Sequence, residues 1–513
     1  MRIKNSLQNM FFGMSGQIIS SAMGFLVRTI FIYTLGVEYL GIDGLFTSIL
    51  LMLSIANLGF DTSMIYSLYK PIAEKDIEKI QALMNLYKNA YQLIGLVVLV
   101  IGLTLLPFLP FLINGETSIN NINLIYLIFL SNSVLSYYFV YKQSLIIADQ
   151  KNFIISKIHS IFIILSNLIQ IIFLLLTGNY ILVLIVQVSF RIAENAFISN
   201  RANKFYPFLM QKNNARLSIE EKKVFFKNLY SMFLYKISGI VINGTDNIII
   251  STYIGISAVG IYSNYLLILS TISTFLSYIF YSITASVGNL NVEEEKEKKY
   301  LIFRVIFFMS FWIYGFSTVC LWNLINPFIK YWLNGNYLFN SFVVFVILLN
   351  FYTTGMQNAS TIFRDTTGLF VKGKYRPVLA AIINLITSIL LVKVIGIAGV
   401  FLGTIISRAF TFFWYDPFLI YKIVFKENSL KYFIKYTYYG SLVFSTSFIT
   451  DSIINLTKSE SLILNLVICI IVVNVIFFIF CRKSKEFNYI FNLAKSYKFG
   501  TSIDKKNIFI NND

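Results

Sequence analysis

Four basic side chains, Arg28, Arg191, Lys236 and Arg408, fall inside long apolar stretches of the chain. A cation at bilayer depth is costly, so by default it marks a pathway, an ion pair or a polar lumen. Counting 1.5 Å of rise per residue, Arg408 and Arg191 sit roughly 16 Å from the outer ends of their helices, near the midplane. Lys236 lies about 12 Å from the inner end of its helix and Arg28 about 10 Å from the outer end of its own. The guanidinium fork matches phosphate oxygens, so one reading is a hydrated cavity whose cations hold an anionic substrate group. The competing reading is internal pairing. Arg191 and Glu194 stand three apart on one helix and can neutralise each other, and Lys236 and Asp246 can do so with neighbours. Asp61 and Asp246 are candidates for coupling to a cation gradient. The single histidine, His159, lies just inside an inner helix end and reads as an interface residue rather than a proton relay.

Little else in the chain can do chemistry. The three cysteines, Cys320, Cys469 and Cys481, lie in apolar surroundings with no CxxC pair, which leaves no recognisable zinc, haem, iron-sulfur or disulfide framework. Gly-x-Gly-x-x-Gly, Walker A and metalloprotease motifs are absent, so no cofactor or metal is expected, and no ATP hydrolysis by the chain itself.

The elements that must position these residues follow from composition. Of 513 residues, 57% are apolar and 13% charged, and the mean hydropathy is +0.71. Such a chain is not a water-soluble globular enzyme. Fourteen apolar runs are long enough to cross a bilayer: 11–35, 44–68, 89–112, 119–141, 158–177, 179–200, 228–252, 257–287, 305–325, 340–363, 377–394, 397–419, 436–457 and 461–481. The first follows Arg2 and Lys4 and reads as an uncleaved span rather than a signal peptide. With both termini in the cytosol, 35 of the 42 Lys and Arg fall in cytosolic segments, four inside spans, and only Lys330, Lys393 and Lys458 in outer loops. The net charge of +18 is therefore the positive-inside signature of a multi-pass protein and not a nucleic-acid footprint.

The chain also repeats itself. Gly36 to Ile42 and Gly255 to Ile261 both read Gly-x4-Gly-Ile, and Lys157, Asn167-Leu168-Ile169 and Arg191 recur as Lys374, Asn384-Leu385-Ile386 and Arg408. Six helices separate the copies, an even number, so both enter the membrane the same way round, as in parallel-repeat transporters. The expected organisation is all-α, with an N-terminal lobe over 1–210, a second over 211–425, and two further helices with a tail over 426–513. Two such lobes facing each other would form a cleft that opens to either side by rocking.

The stretch VRTIFIYTLGVEYLGIDGLFTSILLMLSIANLGF with YKPIAEKDIEKI, and the blocks GTDNIIISTYIGISAVGIYSNY and GLFVKGKYRPVLAAIINLITSILLVKVIGIAGVFLGTIISR, resemble the polysaccharide transporter family. These are the O-antigen and capsule repeat-unit (Wzx-type) flippases of the multidrug/oligosaccharidyl-lipid/polysaccharide exporter (MOP) superfamily. The resemblance implies fourteen helices in two lobes, no enzyme activity, and residence in the bacterial plasma membrane. It also implies flipping of an undecaprenyl-pyrophosphate-linked oligosaccharide to the outer leaflet, with polysaccharide assembly proteins as further partners. Cavity arginines that hold the pyrophosphate would map to Arg28, Arg191 and Arg408, with Lys236 a candidate. Two rivals remain. A drug/cation antiporter of the same superfamily would favour acidic residues over arginines in its N-terminal cleft. A membrane-embedded polysaccharide polymerase would need a sizeable outer catalytic loop, and the longest outer segment, 326–339, is short and holds a single lysine.

Overall fold

The computed structural model describes residues 2–57, 60–114, 119–211, 213, 215–335, 337–373, 375–458 and 460–499. Among them the chain is all-helical, with no strand. That follows from the apolar runs, because backbone groups deprived of water must find partners within their own segment. Eleven of the described helical segments are long and apolar enough to cross a membrane. The other three runs are helical too. Run 44–68 is divided between two helices. Runs 228–252 and 436–457 lie in helices of 35 and 28 residues, where lysines and hydroxyl or amide side chains lower the hydropathy.

Contacts divide the chain into two compact units. The first runs to Leu267 and adds Pro377–Val400; the second takes Ile268–Arg376 and the chain from Phe401. In the first unit α1 (Arg2–Leu35) turns at Gly36 into α2 (Val37–Leu53), followed by α3 (Phe60–Glu74) and α4 (Ile77–Thr104). The start of α4 is fixed by Asp76, whose carboxylate accepts the Lys79 N–H at 2.9 Å. A short α5 (Leu109–Leu112) precedes α6 (Ile122–Val140), α7 (Gln143–Ala148), α8 (Asn152–Thr177) and α9 (Tyr180–Phe205). Then α10 (Ile219–Tyr253) opens on a capping box in which Ser218 and Glu221 bond each other's backbone N–H groups, which satisfies two otherwise orphaned donors. Helix α1 packs along α8, α8 along α9, α4 and α9 against α6, and α2 along α10.

The repeated turns have a shared geometry. Gly36 and Gly255 both have positive φ, 86° and 126°, and each leads directly into a helix, the second being α11 (Ile256–Glu293). A Cβ on Gly41 would lie 2.1 Å from the Ile256 carbonyl oxygen, and one on Gly260 would lie 2.1 Å from the Val37 carbonyl oxygen. Each second glycine thus receives the first residue after the other copy's turn, a reciprocal contact within the first unit.

The second unit is built around α12 (Lys296–Trp332). After it come α13 (Ser341–Met356), α14 (Asn358–Thr366), α17 (Trp414–Ile420), α18 (Leu430–Thr457), α19 (Leu462–Cys481) and α20 (Lys485–Phe499); between α14 and α17 the chain forms α15 (Arg376–Ile395) and α16 (Ile397–Arg408), of which Pro377–Val400 belongs to the first unit. Of these α13, α14, α18, α19 and α20 pack on α12. Its core is aromatic: Phe311 stacks on Tyr439 with centroids 4.2 Å apart, and such a pair adds about 0.5–1.5 kcal/mol beyond its burial.

Helix α20 is held by charge. Glu486, fully buried, accepts from the Arg304 guanidinium at 2.6 Å and also bonds Lys435. Burial alone would raise this carboxyl, but Lys435 and Arg304 outweigh burial and hold it below the usual glutamate range. A folded-state pKa below the unfolded one gives a contribution that is complete above the unfolded value of about 4.3 and lost as pH falls through the depressed value. The melting temperature in detergent should therefore drop between about pH 5 and about pH 3, and Glu486→Gln should make that drop shallower. An equally steep drop in the variant would assign it to other carboxylates.

Candidate functional site

Five helices of the first unit, α1, α2, α6, α8 and α9, enclose a cavity of about 440 Å³. Three of them each contribute one face. On α1 the lining positions are Ser20, Gly24, Val27, Arg28 and Phe31; on α8 they run from His159 to Gln170 and on α9 from Tyr180 to Glu194 at the same three-and-four spacing, which is the helical period. The repeated spacing is what brings Arg28, His159, Arg191 and Glu194 to one space although they are up to 166 positions apart.

Two polar groups organise the cavity. Glu194, with its side chain 8% exposed, accepts from Arg191 Nη1 at 3.2 Å through one oxygen and meets His159 Nδ1 at 2.8 Å through the other. Arg191 and His159 themselves are nearly half exposed. The second group is Asp43, which accepts from the Tyr180 hydroxyl at 3.3 Å and lies within electrostatic reach of Arg28. The Tyr180 ring is fixed edge-on to Phe31 and Tyr39, at 5.4 and 5.2 Å. Arg28 Nη1 and Asn132 Oδ1 are buried without a hydrogen-bond partner among the described residues. A buried polar atom left in that condition costs about 1–3 kcal/mol, more when it carries charge, so this corner of the cavity favours a ligand that brings an acceptor oxygen to Arg28 and a donor to Asn132.

Of the residues singled out in the sequence, Arg28 and Arg191 line this cavity together. Lys236 is exposed on α10 and does not line it. Asp246 is buried further along α10, close enough to interact with the Tyr262 hydroxyl. Asp61 belongs to α3, but its side chain lies outside the described residues, as does Lys374. Arg408 belongs to the second unit, where it donates to Asn350 Oδ1 at 2.9 Å and also bonds Thr354.

Sequence reasoning missed Asp43 and Tyr180. Asp43 lies just outside the run 44–68, directly after the turn read over Gly36 to Ile42, yet α2 already begins at Val37. That displaced boundary conceals an acid that lines the cavity. The cavity consequently holds two guanidiniums and two carboxylates rather than an excess of cations.

No protein-family model matches the chain, and no curated protein matches it. Solved structures do. A lipid II flippase, MurJ, in an inward-closed conformation is similar over 92% of this chain and 99% of that one, with 18% identity and a TM-score of 0.61. An inward-facing multidrug-resistance transporter of the MOP superfamily is similar over 78% of this chain and 94% of its own, with 14% identity and a TM-score of 0.61. A MOP transporter from Pyrococcus furiosus, described as having a binding pocket of reverse polarity, matches over 81% of this chain and 95% of its own, with 13% identity and a TM-score of 0.51. At these identities the likeness is one of fold alone.

Proposed function

We propose that this protein is a flippase of the bacterial plasma membrane. In this reading it moves an undecaprenyl-pyrophosphate-linked oligosaccharide repeat unit from the cytosolic to the outer leaflet by alternating access, for surface polysaccharide synthesis. The observation that carries the reading is the cavity between α1, α8 and α9, in which, among the described residues, Arg28 keeps a buried donor unsatisfied and Arg191 bonds Glu194. The pyrophosphate would occupy the space beside Arg28 and draw Arg191 away from Glu194. His159 then remains as the partner of the released carboxylate. The lipid tail stays in the bilayer, so the protein need only shelter the charged, sugar-bearing end. Direction requires different affinities for the substrate in the two states, or an ion gradient acting through Glu194, Asp43 or Asp246. In the second unit Arg408 is proposed as a further substrate contact, with Asn350 and Thr354 holding its guanidinium in the meantime.

The test is translocation of a fluorescent undecaprenyl-pyrophosphate oligosaccharide in proteoliposomes, read by loss of accessibility to an external quencher. Wild type should flip it, and protein-free vesicles should not. A second reading, a drug/cation antiporter of the same superfamily, is favoured by one specific observation, the pair of carboxylates in the cavity. Movement of an organic cation against protons or sodium, with no movement of the lipid-linked sugar, would establish that reading instead.

A further inference from the structure

A second recess lies elsewhere in the first unit, where α4 and the end of α6 meet the linker between α9 and α10. Its volume is about 270 Å³, just below the range of drug-sized ligand sites and suited to a small polar group. The wall from α4 carries Gln81, Asn85 and Lys88; Lys142 and Tyr141 close the second side and Asn213 the third. Among the described residues no acidic side chain lines it. The frame is held by amide bonds: Gln81 donates to the Phe208 carbonyl at 2.9 Å, and Asn85 donates to Asn213 Oδ1 at 2.7 Å and the Ala215 carbonyl at 3.2 Å. Lys142 donates to Asn203 at 2.9 Å. Neither Lys88 nor Lys142 is ion-paired among the described residues, although each lies close enough to feel the other.

Two ammonium groups lining one recess repel, and burial together with Lys88 holds Lys142 below the ordinary lysine range. An anion between them reverses both costs. We propose that this recess binds a phosphate group, held between the Lys88 and Lys142 ammoniums, and that the bound phosphate ties the linker between the two sequence repeats to α4 and α6. The chemistry is shared by an anionic phospholipid headgroup and by free phosphate or a nucleotide. The site is separate from the cavity of Arg28 and Arg191 and does not depend on what that cavity carries.

The experiment uses the full-length protein in neutral detergent, titrated separately with dihexanoyl phosphatidylglycerol, inorganic phosphate and ATP, with binding read by calorimetry. We expect at least one of the three to bind wild type and to bind Lys88→Gln/Lys142→Gln at least tenfold more weakly. Lys88→Arg/Lys142→Arg should retain the affinity, and so should Arg28→Ala/Arg191→Ala, which separates this recess from the larger cavity. Tighter binding of phosphatidylglycerol identifies a lipid headgroup; tighter binding of phosphate or ATP identifies a soluble ligand. The proposal is overturned if none of the three binds, or if the glutamine variant binds as well as wild type while its unliganded melting temperature is unchanged. Should the glutamine variant not fold, equal affinity in wild type and the Arg28→Ala/Arg191→Ala variant still supports the recess, and loss of binding in the latter overturns it.

Discussion

Arg28→Ala and Arg191→Ala should each lower the initial rate of lipid-linked oligosaccharide flipping by about 10- to 100-fold. A hydrogen bond to a charged group contributes about 1.5–3 kcal/mol, and 1.4 kcal/mol is a factor of ten. The two replacements should differ in what remains. Without Arg28, Asp43 keeps the Tyr180 hydroxyl but loses its nearest cation, so the cavity becomes more acidic as well as losing a donor. Without Arg191, Glu194 keeps His159. Glu194→Gln is the informative partner to both. If the substrate is an anion, removing this competitor for Arg191 should tighten substrate binding while leaving flipping in place. If the substrate is an organic cation, the same change should abolish transport. The sign of the Glu194→Gln effect therefore separates the two transporter readings, and a melting temperature within a few degrees of wild type shows that the variant is folded. Unchanged flipping in both arginine variants would remove Arg28 and Arg191 from the site.

How much of this was legible follows from the range of each interaction. The apolar runs and the glycine turns were legible because helices and turns are local. The Arg191–Glu194 bond was legible too, because residues three apart on a helix face the same way. Partners across helices were not. Glu194 meets His159 35 positions away, and Tyr180 meets Asp43 137 positions away; the packing of α8 on α9, and of α2 and α9 on α6, creates those pairs. Asp43 was hidden for a second reason. Gly41 reads as the second glycine of a turn, yet here it and Gly44 let α2 pack closely in the first unit, with a Cβ on Gly44 coming 3.1 Å from Ser263 Oγ. A rule based on conformational freedom cannot distinguish that use from a turn. Arg408 shows the same limit, because its bonds to Asn350 and Thr354 span more than fifty positions.

The repeated Gly-x4-Gly-Ile motif has a structural consequence that can be measured. Gly41→Ala and Gly260→Ala are each expected to destabilise the protein by about 3 kcal/mol, the upper end of the cost of overpacking. The methyl group would meet a backbone carbonyl at 2.1 Å in both cases, and a backbone oxygen cannot rotate aside as a side chain can. Relief requires that the start of α2 and the start of α11 move apart. Because one separation relieves both clashes, the double variant should lose clearly less than the sum of the two singles, the coupling expected of residues in one contact. Gly13→Ala, where a Cβ meets nothing within 4 Å, is the control for the loss of a glycine as such and should leave the melting temperature near wild type. Thermal unfolding in detergent, followed by intrinsic fluorescence, measures the four variants against wild type. Additive losses in the double variant would mean that the two glycines act at independent sites, and the reciprocal contact would then not account for the repetition of the motif. A smaller-than-additive loss would give the duplication its physical reason: two copies of one turn, each supplying the glycine that the other's backbone needs in order to approach.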